Sequence, residues 1–163
     1  MKLLNLLNLL TLATVLIVLN SCKETCKKEE TNSNGYNKEL AAQLNADQYG
    51  MSRYVMAFLK RGPNRSQDSL TAANLQKAHL ENITKMAEEG TLVLAGPFMD
   101  EGEIRGIYIF NVATIEEAKQ LTESDPSIKA GRLVMELHPW YGSAAIKEIN
   151  SIHNQLTQKP ISE

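Results

Sequence analysis

Residues 53–60 predict a β-strand that is apolar on both of its faces. The segment is rich in β-branched and aromatic residues, and Gly62 and Pro63 follow shortly after it, where they stop a strand. Alternate positions carry Tyr54, Met56 and Phe58 on one face and Val55, Ala57 and Leu59 on the other. A strand with one face in water would alternate apolar and polar residues, so we expect this strand to be covered on both faces.

A long amphipathic helix is predicted over residues 68–89. Gly90 follows the helix at the position that favours a left-handed turn. Three- and four-residue spacing places on one stripe Ala72, Leu75, His79, Leu80, Ile83, Met86 and Ala87. His79 is the ionisable residue of this apolar stripe, so its imidazole is expected to face the sheet.

The remaining elements are predicted as strands at 91–95, 105–112 and 132–140 and helices at 115–124 and 143–156. Thr114 and Glu117 form a capping box, which marks the start of the helix that follows. Asp125 ends that helix, because it precedes Pro126 and a residue before proline disfavours helical dihedral angles. The two strands at 91–95 and 105–112 are expected to form a hairpin.

The order of these elements is strand, helix, strand, strand, helix, strand. This order predicts an α+β chain with the ferredoxin-like βαββαβ fold, an antiparallel sheet with both helices on one face, followed by a C-terminal helix. The other face of the sheet is then expected to lack cover within one chain. Since its strands are apolar there too, we expect a homodimer that joins sheet to sheet, as in a dimeric α+β barrel.

The first 21 residues have the pattern of an export signal. Lys2 precedes an apolar run over residues 3–19, and Ser21 is a small residue directly before Cys22. The pattern resembles a bacterial lipoprotein signal peptide with its lipobox, which implies cleavage before Cys22 and attachment of lipid to it. We therefore expect a chain anchored to a membrane of the bacterial cell envelope, on the periplasmic or outer-membrane side. An uncleaved signal anchor, or a secretory peptide cut near Ser21, are the alternatives.

Residues 22–50 are predicted to form a flexible tether, with a short helix at 38–45. Their charged and polar composition buries too little apolar surface to offset the entropy of ordering. The folded domain then spans 51–142, and the C-terminal helix and tail span 143–163. Cys26 lies in the tether, and no function is assigned to it.

Charge and motifs exclude several classes of function. The chain carries 17 Lys and Arg against 19 Asp and Glu, a formal net charge of −2, so no basic excess predicts binding of nucleic acid. His79, His138 and His153 do not follow the spacing of a metal site. The sequence has no phosphate-binding loop, dinucleotide fingerprint or nucleophile elbow, and neither metal nor cofactor is predicted.

Five segments in the right order and spacing resemble the YciI-like (YCII-related) proteins of the dimeric α+β barrel superfamily. These segments are the opening strand at residues 54–60, Ala78-His79-Leu80, residues 89–97, residues 125–131 and residues 136–140. The resemblance covers residues 53–141. It implies that a histidine from the first helix and an aspartate from the Asp-Pro segment share one cleft as an acid–base pair. Those two residues are His79 and Asp125 in this chain.

The resemblance also implies a class of chemistry, namely isomerisation or elimination on a small aromatic or lactone substrate. Related barrels use a lone histidine to bind haem, so a haem site stays open, although nothing in the sequence singles it out. The lipobox, the tether and the tail helix depart from the family pattern. A cytosolic metabolic role therefore does not carry over to this chain.

His79 beside Asp125 is a sensible catalytic pair, because a carboxylate fixes the tautomer of an imidazole and makes it a better base. The alternative is a histidine that is hydrogen-bonded inside a helix–sheet interface. Asp125 would then only cap the turn that follows it.

Other candidates for substrate binding come from two places in the chain. Gly96, Pro97 and Phe98 offer backbone amides and an aromatic wall, or simply a turn that ends a strand. Glu136 and His138 project from the polar face of the last strand, towards the cleft or towards a dimer seam. Two arginines, Arg105 and Arg132, are suited to holding a carboxylate, although surface ion pairs are the commoner role.

Two functions are compatible with these residues. The first is an acid–base enzyme in which His79 is the base and Asp125 orients it. The second is a non-catalytic ligand-binding or scaffold domain of the cell envelope. An open cleft that holds His79 within reach of Asp125 favours the enzyme. A pocket lined only by aliphatic groups, with His79 bonded to backbone and shut off from it, favours the scaffold.

Overall fold

The structure is a computed structural model that describes residues 35–159 and residue 161. The predicted signal peptide, Cys22, Cys26 and the tether up to residue 34 lie outside the described residues. In chain order the elements are α1 (Lys38–Gln43), β1 (Met51–Arg61), α2 (Ser69–Glu88), β2 (Leu92–Pro97), β3 (Ile104–Phe110), α3 (Ile115–Thr122), α4 (Pro126–Lys129), β4 (Leu133–Ser143), a 3₁₀ helix (Ala144–Glu148) and α5 (Ile149–Leu156).

The four strands form one sheet in the order β2-β3-β1-β4, and every pairing is antiparallel. The predicted α+β, ferredoxin-like fold with an added C-terminal helix is therefore confirmed. β1 lies inside the sheet between β3 and β4, where its backbone hydrogen-bonds on both sides. This central position agrees with the apolar character of both of its faces.

One face of the sheet packs against α2 and α3. Val55, Ala57 and Leu59 of β1 are buried there together with Tyr108 and Phe110 of β3. The two helices add Met86 and Ala118 to the same cluster, and Ile83, Ile115 and Leu121 pack around it. The apolar stripe of α2 therefore meets the sheet, as its spacing predicts.

The helix ends follow the capping signals in the sequence. Asp68 caps α2, its Oδ1 accepting a 2.8 Å hydrogen bond from the Thr71 backbone N–H. Gly90, after the other end of α2, has a φ of 71° in the left-handed region. At α3 the Thr114 hydroxyl accepts from the Glu117 N–H at 3.2 Å, while the Glu117 carboxylate accepts from the Thr114 N–H at 3.1 Å.

The opposite face of the sheet is partly covered by the same chain, so the expectation that it lacks cover within one chain is wrong. Tyr54, Val93 and Ile109 are buried on this face, and Ile146 of the 3₁₀ helix packs against them. The Asn150 side chain donates a 2.7 Å hydrogen bond to the Leu92 carbonyl, which fastens α5 to β2. A tail helix can be recognised from its periodicity, but where it docks depends on tertiary packing.

Residues 38–50, which the sequence places in the tether, pack on the domain, and the compact unit begins at Lys38. Leu44 is buried after α1, and its carbonyl accepts a 2.7 Å hydrogen bond from Lys147 Nζ. The Ser52 hydroxyl donates to the Asn45 carbonyl at 2.8 Å. These contacts offset the ordering entropy that the polar composition alone cannot offset. Within the described residues, no helix is long and apolar enough to cross a membrane.

The packing of Ile146 predicts a difference between two isoleucines of the tail. Ile146→Ala should lower the free energy of unfolding by about 2 kcal/mol, because it removes packing from the Tyr54, Val93 and Ile109 cluster. Ile152 is 55% exposed, so Ile152→Ala should change the free energy of unfolding by less than about 0.5 kcal/mol. Urea unfolding of both variants measures this difference, and equal losses would show that the tail does not cover the sheet.

Candidate active site

His79 lies on the buried side of α2, in the third turn of the helix, with 6% of its surface exposed. Its ring stands beside the Tyr108 ring of β3, with the two centroids 6.2 Å apart and the planes inclined by 18°. The helix stripe therefore carries the imidazole into the helix–sheet junction, as the sequence predicts.

Asp125 is fully buried and is the N-cap of α4, whose first residue is Pro126. Its Oδ1 accepts a 2.7 Å hydrogen bond from the Ser127 backbone N–H. Its Oδ2 lies 2.5 Å from His79 Nδ1. An ionised carboxylate only accepts hydrogen bonds, so Nδ1 must carry the proton in this pair. In the neutral ring, Nε2 then keeps its lone pair.

Tyr108 is the third member of the cluster, and the sequence reasoning missed it. Its hydroxyl lies 3.3 Å from His79 Nε2, and its side chain is buried. Burial, and then the negative charge of Asp125, raise the pKa of Tyr108, so the phenol stays protonated and donates a hydrogen bond. The signal was present in the alternation of β3, which places Tyr108 on the same face as Phe110 and therefore towards the helices.

A cavity of about 360 Å³ opens at this cluster, and His79, Tyr108 and Ser127 all line it. Gly96 and Pro97 at the end of β2 line it as well, as the sequence anticipated. Phe98 is not among the lining residues, and 43% of its surface is exposed.

Glycine is required at one of the two hairpin positions beside the cavity, Gly106, which pairs with Pro97. A Cβ on Gly106 would lie only 2.7 Å from the Gly96 carbonyl oxygen, so β2 and β3 approach closely there. A Cβ on Gly96 would meet nothing within 4 Å. The close approach of the two strands therefore constrains Gly106 alone of these two glycines.

Glu136 and His138 lie on the other side of the sheet from His79. In the register of β1 and β4 they pair with Phe58 and Met56, whereas the helix face carries Leu137. His138 Nε2 lies 2.8 Å from a Glu136 carboxylate oxygen, and Lys60 forms a 2.5 Å ion pair with the other oxygen. The sequence left open the cleft and a dimer seam for these two residues; the structure places both on the sheet face away from His79, so they do not line the cleft.

Arginines also line the cavity. The sequence had pointed to Arg105 and Arg132, and both are lining residues. Arg61 and Arg65 line the cavity too, and the sequence reasoning missed them. Within the part of the chain that the structure describes, no group of His, Cys, Asp and Glu side chains is arranged to hold a metal ion.

Residues 54–141 match the family model of the YCII-related domain. The chain belongs to the YCII-related domain family. The match includes His79, Tyr108 and Asp125 as well as the four arginines of the cavity, whereas Cys22 precedes it. No curated protein matches the chain significantly.

The hydrogen bonds of Asp125 predict how this YCII-related domain responds to Asp125→Asn. The Ser127 N–H can only donate, so the asparagine oxygen should turn towards it and the NH₂ group towards His79 Nδ1. His79 should then change tautomer, with the proton moving from Nδ1 to Nε2.

Long-range ¹H–¹⁵N correlation spectra of the imidazoles measure this change. The exposed His153 is the internal reference, because its tautomer should be the same in both proteins. The same ring-nitrogen pattern for His79 in wild type and Asp125→Asn would mean that Asp125 does not set its tautomer.

Proposed function

We propose that this YCII-related domain is an acid–base enzyme that moves a proton on a small organic substrate, in an isomerisation or an elimination. One observation carries the proposal. His79 lines a cavity while its Nδ1 is held by the buried carboxylate of Asp125, which leaves Nε2 as the basic atom. This is the open cleft that favours an enzyme over a scaffold.

The proposed step begins with a substrate C–H that is acidified by a neighbouring carbonyl group. His79 Nε2 takes this proton, the C–H electron pair moves into an enolate, and Asp125 stabilises the resulting imidazolium. In an isomerisation, the imidazolium returns the proton to another carbon of the enolate. In an elimination, the electron pair instead expels a leaving group from the adjacent carbon.

Tyr108 has a distinct part in this proposal. Its buried hydroxyl is a protonated donor that lies beside His79 Nε2 and lines the same cavity. In the proposed step this hydroxyl turns from His79 Nε2 to the carbonyl oxygen of the substrate, where negative charge develops as the proton leaves. The lone pair of Nε2 is then free to take the proton. His79, Asp125 and Tyr108 then supply the base, its orienting group and a hydrogen-bond donor.

The proposal predicts solvent exchange at the acidic carbon of a substrate. In D₂O, the wild-type protein should exchange the C–H protons next to the carbonyl group of a γ-lactone, followed by ¹H NMR. His79→Ala should lower this exchange rate by roughly 10²- to 10⁴-fold, because it removes the base. His153→Ala, an exposed histidine outside the cavity, should exchange at the wild-type rate.

An exchange rate in His79→Ala equal to that of wild type would show that His79 is not the base. Halogenated hydroxy-aromatic compounds test the elimination in the same way, with halide release as the readout. Ligands of either class that bind without exchange or release would support the non-catalytic binding domain instead.

We also propose that the chain is a lipoprotein of the cell envelope, held in a membrane by lipid on Cys22. The support is the apolar run after Lys2 and the small residue before Cys22. Mass spectrometry of the N-terminal peptide from bacterial membranes tests this. A chain that begins at a diacylglyceryl-modified Cys22 agrees with the proposal, and an unmodified Cys22 contradicts it.

A homodimer through the sheet is a further proposal. The support is the part of the open face that the tail does not bury, where Met56, Phe58 and Ile107 are half-buried and Val134 is 41% exposed. Sedimentation equilibrium of the protein tests it, since a monomer at micromolar concentration would contradict a stable dimer.

A further inference from the structure

Antiparallel pairing brings four arginines from separate parts of the chain to one end of the sheet. Arg61 is the last residue of β1, Arg105 is near the start of β3, and Arg132 directly precedes β4. The end of β1 pairs with the start of both neighbouring strands, through Arg61 with Leu133 and through Lys60 with Ile104. These three side chains therefore start from adjacent strand ends.

Arg65 joins the other three from the loop between β1 and α2. Its guanidinium donates a 3.1 Å hydrogen bond to the Arg132 carbonyl. The loop itself is fastened to the same place, because the backbone N–H of Gly62 donates to that carbonyl at 2.8 Å and the N–H of Asn64 donates to the Gly131 carbonyl at 3.0 Å. These hydrogen bonds therefore hold Arg65 beside the start of β4.

The positive charges of these arginines are not balanced by neighbouring carboxylates. In residues 35–159 and 161, none of the four forms an ion pair, whereas Lys60, Lys77 and Lys85 each do. The hydrogen-bond acceptors of the guanidinium groups are neutral oxygens: those of Arg105 are the Asp100 and Gly102 carbonyls, and that of Arg132 is the Gln67 side chain. The like charges therefore repel one another without a counter-ion from the described residues.

Arg65 shows this repulsion. Its pKa lies below its ordinary value, first because of desolvation and then because of the positive charges of Arg132, Arg61 and Arg105. The four groups are close enough to act on one another. A negatively charged ligand would relieve this repulsion.

The cavity that the arginines line has no acidic residue among its described lining residues. Apolar side chains supply much of the remaining wall, among them Leu59, Leu80, Ile83 and Leu133. Its volume is about 360 Å³. A compact molecule with an apolar body and more than one negative charge fits this combination.

We propose that the cavity binds a small organic dianion, with its acidic groups on Arg61, Arg65, Arg105 and Arg132 and its apolar body between α2 and the sheet. Guanidinium groups bind carboxylates and phosphates through paired hydrogen bonds. Either a dicarboxylate or a phosphate monoester supplies the required charge. The inference deepens the proposed function, because it gives the charge class of the substrate that His79 acts on, but ligand binding itself does not need the base.

A series of ligands with one ring and different charge tests the proposal by isothermal titration calorimetry on the full chain. The probes are phthalate, benzoate and phthalamide, with charges of −2, −1 and zero, and phenyl phosphate as the second dianion. We expect at least one dianion to bind at least tenfold more tightly than benzoate, and phthalamide to give no measurable binding. Whichever dianion binds more tightly distinguishes carboxylate from phosphate recognition.

Arginine variants test whether the dianion binds at these four residues. Arg132→Gln and Arg65→Gln should each weaken binding of the dianion by at least tenfold, because each removes a charged donor from the cavity. Arg53→Gln is the matched control, because Arg53 is exposed and does not line this cavity, and it should bind as wild type does. Thermal unfolding of each variant shows whether it is folded. If a variant is unfolded, the ligand series on the wild-type protein still tests the proposal.

Equal affinity for benzoate and both dianions, or equal affinity of folded Arg132→Gln and Arg53→Gln, would overturn the proposal. Wild-type measurements separate it from the proposed function, because binding of the dianion does not need the base. Binding of a dianionic lactone by wild type, with no proton exchange on that lactone in D₂O, would leave the anion site standing and the enzyme proposal refuted.

Discussion

The buried carboxylate of Asp125 is the group on which the site depends. A carboxylate with no exposed surface is costly unless hydrogen bonds replace the water that it has lost. Asp125 meets this demand with two donors, the Ser127 backbone N–H and His79 Nδ1–H. The same residue is the N-cap of α4, so backbone geometry and the orientation of the imidazole are set together. The His79–Asp125 pair is therefore a part of the fold and not an addition to its surface.

Local patterns in the sequence predicted most of the fold and the centre of the site. The stripe of α2 placed His79 against the sheet, and the Asp125-Pro126 step marked the boundary where the carboxylate caps α4. The alternation of side chains along β4 also indicates which sheet face each of its residues occupies. Leu133, Met135 and Leu137 share the face that meets the helices, which already separates Glu136 and His138 from a histidine that comes from a helix.

The remaining features depend on contacts between distant parts of the chain, which periodicity does not contain. Ile146 packs against Tyr54 on the sheet face opposite α2 and α3. The amphipathic pattern of the tail does not predict on which face of the sheet the tail packs. Arg61 and Arg65 look like turn residues after a strand until the pairing with β4 brings them beside Arg132. The patterns of single strands and helices therefore identify His79, Asp125, Arg105 and Arg132, but not Arg61 and Arg65.

The charges around His79 are arranged asymmetrically, and this asymmetry suits the proposed proton transfer. Asp125 lies at the Nδ1 side of the ring, while four arginines and Tyr108 are among the residues that line the cavity. A proton that moves from a bound substrate to Nε2 creates a positive charge on the imidazole and a negative charge on the substrate. The positive charge then lies next to a carboxylate and the negative charge lies in a cationic cavity. Both charges are stabilised by groups that are in place before the reaction, which is the condition for electrostatic catalysis without reorganisation.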